Sequence, residues 1–212
     1  GSPAWSELVP AGTPPSARGY HTAFYDPVRD RMVVFGGNDG SYRNDVWALS
    51  LAGSPAWSAL APAGPAPSAR FGQTAIYDPA RDRMLVFGGN DGSFPLNDVW
   101  ALSLAGSPAW SELVPAGTPP SARDLRTAFY DLVRDRILVF GGHDGSFPLN
   151  DVWALSLAGS PAWSALAPAG TPPSPRGYHT AIYAPVRDRM LVFGGYDGSF
   201  RLNDVWALSL AG

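Results

Sequence analysis

Residues 31–57 read RMVVFGGNDGSYRNDVWALSLAGSPAW, and the stretch returns at 83–110, at 136–163 and, up to the last residue, at 189–212. Around it the likeness extends outward. Trp5, Trp57, Trp110 and Trp163 each sit in GSPAWS, at spacings of 52, 53 and 53. NDVWALSLAG recurs word for word from Asn44, Asn97, Asn150 and Asn203, and the one-residue irregularity falls before Asn44, where SYRN stands for SFPLN. Self-similarity at a fixed period marks a stack of supersecondary units that bury their apolar faces on one another. Four copies, 1–52, 53–105, 106–158 and 159–212, account for all 212 residues as a single domain.

Each copy reads as four short strands. In the first these are Ala4–Leu8, Thr22–Asp26, Arg31–Phe35 and Asp45–Leu51, with the Pro-rich run Val9–Arg18 as a loop and Gly36-Gly37 ending the third strand. Strands rich in Val, Phe, Tyr and Trp at even spacing, bounded by Gly and Pro, predict an all-β fold. MVVF lacks polar alternation, and DVWALSL carries Trp47, Leu49 and Leu51 on one side with Val46 and Ala48 on the other. Such sheets need cover on both faces, which radially stacked blades provide.

The ordered set Arg18, Gly36-Gly37, Trp47 and Trp57, repeated with the copy, resembles the kelch repeat over the full chain, and the copy length fits that family's period of about 50 residues. The resemblance implies a β-propeller of four-stranded antiparallel blades, with the Trp-led strand outermost. It also implies closure by pairing Ala4–Leu8 with Asp204–Leu210, which would place His21 near His179. Kelch propellers usually have six or seven blades, so a second arrangement is favoured: two chains exchange terminal strands and close an eight-bladed homodimeric ring. A closed four-bladed monomer and a segment of a longer array remain the alternatives.

Composition narrows the function. A net charge of −3 gives no general attraction to nucleic acid or anionic membranes, and neither is expected as a partner. Cysteine is absent, so the copper and Tyr-Cys crosslink of galactose-oxidase relatives, which share the kelch architecture, is excluded. The three histidines, His21, His143 and His179, show no metal-ligand spacing, and no phosphate loop or nucleophile triad is present. No cofactor, metal or catalytic residue is expected. Arg18, Arg70, Arg123 and Arg176 are expected to pair with Asp45, Asp98, Asp151 and Asp204 within their blades, and the YDPVRDR turn with Asp26 and Asp30 to be a solvated, self-paired corner.

The copies differ in three segments. After the Arg stand Gly19-Tyr20-His21, Phe71-Gly72-Gln73, Asp124-Leu125-Arg126 and Gly177-Tyr178-His179; after Gly-Gly stand Asn38, Asn90, His143 and Tyr196. The third segment is Tyr42-Arg43 against Phe94-Pro95-Leu96, Phe147-Pro148-Leu149 and Phe200-Arg201-Leu202. Antiparallel neighbours put the start of one strand beside the end of the next, so all three belong at one rim of the central channel. The expectation is a non-catalytic module that binds a peptide or small polar ligand there. Its candidate residues are Tyr20, His21, Asn38, Phe71, Gln73, Asn90, Asp124, Arg126, His143, Tyr178, His179 and Tyr196. The competing reading is a symmetric scaffold, engineered or recently amplified, with no ligand; a metal-dependent enzyme on the same scaffold is the distant third.

Overall fold

The computed structural model describes residues 2–125 and 127–211. The first blade comprises β1 (Thr22–Asp26), β2 (Arg31–Asn38), β3 (Tyr42–Ser50) and β4 (Ala56–Leu60), paired in that order. The second comprises β5 (Thr74–Asp78), β6 (Arg83–Asn90), β7 (Pro95–Ser103) and β8 (Ala109–Leu113); the third, β9 (Thr127–Asp131), β10 (Arg136–His143), β11 (Pro148–Ser156) and β12 (Ala162–Leu166). The fourth sheet has three strands, β13 (Thr180–Ala184), β14 (Arg189–Tyr196) and β15 (Arg201–Ser209). All pairings are antiparallel, and β1, β5, β9 and β13 contact one another in sequence as the innermost strands. This is an all-β, four-bladed propeller architecture.

The Gly-Gly pair does not end its strand, as the sequence suggested. β2 continues through it by a bulge between Phe35 and Gly37, then resumes pairing with Gly37 opposite Arg43 and Asn38 opposite Tyr42. Glycine is required here: Gly37 has φ 98°, and a Cβ would stand 2.7 Å from the Gly19 carbonyl oxygen. The bulge lets the inner loop lie directly on the strand.

Successive blades meet through one repeated interface. Val33, Phe35 and Val46 pack on Met84, Val86, Leu102 and Trp110 of the next blade; Leu85, Phe87 and Val99 meet Ile137, Val139, Leu155 and Trp163 in the same way. The Phe35–Trp110 and Phe87–Trp163 ring centroids lie 5.3 and 5.0 Å apart. Fully burying such side chains stabilises by about 2–3 kcal/mol each, which is why an unalternated apolar strand settles here. At the end away from the rim, Arg29 pairs with Asp82, Arg81 with Asp135 and Arg134 with Asp188, each at 2.6 Å. Toward the rim, the amides of Gly37, Gly89 and Gly142 donate to the carbonyls of Arg70, Arg123 and Arg176 in the following blade. On the outside, the amides of Trp57, Trp110 and Trp163 donate to Ala11, Ala63 and Ala116 at 2.8 Å.

The expected closure by Ala4–Leu8 is not made within the chain. These residues form no strand, Trp5 is fully exposed, and β15 lacks the outer partner that β3, β7 and β11 have. The first and fourth blades do not cover each other. Phe193 is 54% exposed, whereas its counterparts Phe35, Phe87 and Phe140 are at 0, 3 and 1%. Ile182 and Val205 beside it are exposed, as are Ala23 and Tyr25 on the first blade. His21 is accordingly exposed and is not held against the buried His179.

Candidate functional site

The four arginines anchor the rim and are not offered to solvent. Arg70 donates through Nη1 and Nη2 to both Asp98 oxygens at 2.7 and 2.8 Å, and through Nη1 to the Gly88 carbonyl at 3.0 Å. Arg18, Arg123 and Arg176 repeat this fork on Asp45, Asp151 and Asp204. Trp100 Nε1 adds a bond of 2.7 Å to Asp98 Oδ2, with counterparts at Trp47, Trp153 and Trp206. Burial alone would raise the carboxyls of Asp98 and Asp151, but the guanidinium bonds and charge, with the indole and backbone bonds, together outweigh it and both lie below their ordinary range. A planar, permanently charged fork fixes the inner loop to the bulged strand in every blade.

The second varying position serves the turn that follows it. Asn38 and Asn90 accept the amides of Gly40 and Gly92 at 2.8 and 2.7 Å, and His143 Nδ1 accepts that of Gly145 at 3.0 Å, which assigns the proton to Nε2. In the fourth copy the Tyr196 hydroxyl donates to the Gly198 carbonyl at 2.7 Å. The following aspartate shapes the loop tip. Asp91 accepts from Phe94 and Ser93, Asp144 from Phe147 and Ser146, and Asp197 from Phe200 and Ser199. These amides, that of the phenylalanine foremost, hold each carboxyl below its ordinary range.

Those tips hold Phe94, Phe147 and Phe200 out in solvent. With Tyr20, Tyr42, Tyr178 and Tyr196 they give the rim seven exposed aromatic side chains. Tyr42 and the three phenylalanines lie in the third varying segment, expected at the rim, but are absent from the candidate ligand residues. An aromatic retained in every copy at the tip of a Gly-Ser loop, where no strand packing demands one, is the signal that would have found them.

The inner loops are bridged to the residue after Gly-Gly: Gly19 to Asn38, Phe71 to Asn90, Asp124 to His143 and Gly177 to Tyr196. The first two varying segments are therefore adjacent, and the third pairs alongside, with Asn38 opposite Tyr42 and His143 opposite Pro148. Tyr20, Leu125 and Tyr178 occupy left-handed backbone, at φ 56°, 53° and 58°, where the second copy has Gly72 at 62°. A non-glycine residue there costs about 1–2 kcal/mol, and three copies of four accept that strain. Tyr20 meets Phe71 edge-on at 5.9 Å, and Tyr42 stacks on Phe71 at 5.0 Å, forming a three-ring cluster between the first two blades.

Three of the expected rim residues, Gln73, His179 and Asp124, are buried in the blade packing. Gln73 Nε2 reaches the preceding blade and donates to the Phe35 carbonyl at 2.9 Å; His179 Nε2 lies 2.8 Å from Thr127 Oγ1 and its ring meets Phe140 edge-on. Burial, with Arg176 nearby, lowers the His179 pKa to about 4. Arg126 lies outside the described residues. Among the described residues no group of three or more His, Asp or Glu could hold a metal, and no helix is long and apolar enough to cross a membrane.

Two overlapping stretches, residues 2–129 and 107–212, match the model of the KLHDC2/KLHL20/DRC7 Kelch-repeats domain. The chain belongs to the kelch-repeat family. Curated relatives include the serine/threonine-protein phosphatase BSL2 of Arabidopsis thaliana, 35% identical over 93% of the chain and 19% of the relative. The leucine-zipper-like transcriptional regulator 1 homolog of Drosophila melanogaster is 32% identical over 62% of the chain and 14% of its own length. The tip elongation aberrant protein 1 of Schizosaccharomyces pombe is 31% identical over 95% and 18%. The kelch chain thus spans about a fifth or less of each of these relatives.

Proposed function

We propose that this kelch propeller is a non-catalytic binding module whose variable rim takes a peptide or a small polar ligand. The observation that carries this reading is the exposed aromatic set at the rim, with Tyr20, Tyr42 and Phe71 gathered into one cluster. Aromatic rings on loops held by a rigid scaffold supply contact area at little cost in conformational entropy. The opposite end has the contrary character and departs from the solvated, self-paired corner that the sequence suggested. Asp26, Asp78 and Asp131 are fully buried on the arginines of their own corners, while Arg29, Arg81 and Arg134 also reach the next blade. Chemistry varies at the rim and changes little at this end, where Ala184 alone stands for the buried aspartate.

A peptide array probed with the folded protein tests the proposal against the ligand-free scaffold. Tyr20→Ala removes one ring of the cluster, and Tyr178→Gly removes a ring while relieving left-handed strain. The expected result is a specific signal lost in Tyr20→Ala or Tyr178→Gly, with thermal stability of Tyr178→Gly unchanged or raised by up to about 1 kcal/mol. An array that stays silent, or a signal indifferent to both substitutions, overturns the reading.

A further inference from the structure

We infer that a second copy of this chain covers both open faces, so that two copies close one eight-bladed ring. Each face exposed at one end of the molecule is half of an interface that the chain already builds three times, and the other half stands exposed at the opposite end. Phe193, Val205 and Ile182 on the fourth blade present the surface that Phe35 and Phe87 bury on a following blade. The first blade is chemically the blade that would follow, with Ala23 and Tyr25 exposed on the side that faces backward.

Polar groups match in the same way. Arg29, Arg81 and Arg134 each pair with an aspartate one blade on, whereas their counterpart Arg187 is exposed and the equivalent aspartate of the first copy is Asp30. His21 holds the position from which Gln73 and His179 reach back to the preceding blade, and in the first copy it is exposed.

The outer strand supplies a separate argument. Beneath the edge of β15 lies a cavity of about 220 Å³ lined by Phe140, Leu166, Ala169, Met190 and Trp206. In the first two blades the equivalent phenylalanines are covered by Trp110 and Trp163. Trp5, in a segment identical to β8, is fully exposed, and Ala169 follows the spacing of Ala11, Ala63 and Ala116, which accept the amides of such tryptophans. The larger cleft, about 890 Å³ between Tyr178 and Leu202, has the same origin. Gly195 and Leu202 there are the counterparts of groups that hold the next blade's arginine loop elsewhere. One partner strand and one partner blade fill all of this, and a twofold arrangement satisfies both ends at once and leaves no edge from which a filament could grow. Each rim residue is then present twice around one channel.

Light scattering of the 212-residue chain, at 22.4 kDa per chain, gives the first readout. The expected mass is that of two chains, with Trp5 fluorescence shielded on association. Phe193→Glu and Trp5→Ala, both at exposed side chains, return the mass to one chain while far-ultraviolet circular dichroism stays native. Arg187→Asp weakens the dimer by about tenfold, and adding Asp30→Lys restores it, a rescue that misfolding cannot imitate. A single-chain mass with Trp5 shielded means that the chain closes on itself; the same mass with Trp5 exposed means that the open faces take a blade from another protein or from a longer chain. Either overturns the inference, as does a ladder of species larger than two chains.

Discussion

His179 gives the protein a defined sensitivity to acid. Its ring is buried between the third and fourth blades, with Nε2 on the Thr127 hydroxyl and Nδ1 unpartnered among the described residues. Burial, aided by the Arg176 charge, lowers the pKa from 6.5 to about 4. A histidine whose folded pKa lies below its unfolded one binds its proton more readily when unfolded. The stability it permits is therefore complete above pH 6.5 and falls as pH drops toward 4. The gap corresponds to a total loss of about 3 kcal/mol, of which about 2 kcal/mol is lost by pH 5. In a chain of this size that is a fall in Tm of about 4–8 °C between pH 8 and pH 5. The second blade supplies the control, because Gln73 occupies the equivalent position and reaches the preceding blade without a titratable group. Urea unfolding of the native chain and His179→Gln, followed by tryptophan fluorescence at both pH values, isolates the term from the carboxylates. His179→Gln is expected to retain about 2 kcal/mol more of its pH 8 stability at pH 5. Parallel losses in the two proteins would refute the reasoning.

Other perturbations follow from the same geometry. Gly37→Ala places a Cβ 2.7 Å from the Gly19 carbonyl oxygen at φ 98°, and is expected to destabilise by about 2–4 kcal/mol in urea denaturation; a neutral effect would show that the bulge is not fixed by the close approach. Arg123→Ala removes the guanidinium that bonds Asp151 and the Gly141 carbonyl, leaving Asp151 its Trp153 bond, and is expected to cost about 3 kcal/mol, measured the same way. A loss below about 1 kcal/mol would mean that solvent replaces the fork.

The kelch architecture was legible because the repeat is nearly literal: four GG-to-Trp stretches leave few other folds that could cover both faces of a VVF strand. Thr22–Asp26 was located to the residue because an alternating run ends there in an Asp-Pro turn. The Gly-Gly bulge was misread as a strand end, since two glycines at positive φ resemble a turn until the pairing beyond them is seen. The rim was legible as a place, through differences among copies, but not as a set of contacts. Gln73 and His179 differ as a ligand-facing pair would, yet each turns a nitrogen inward to a hydrogen-bond partner on the neighbouring blade. Sequence variation reports that either side chain is accepted, and the direction in which it points is a property of the packed interface.

The sameness of the ion pair at the three interfaces bears on how the number of blades can change. Arg29, Arg81 and Arg134 meet equivalent aspartates, so this ion pair does not distinguish which two blades it joins. Excising residues 53–105 would seat the third blade on the first through the same ion pair and the same amides. Each chain that gains or loses one whole period keeps its remaining junctions, because each blade contacts only its neighbours. Blade number is thus free to change while the shape of a blade is held.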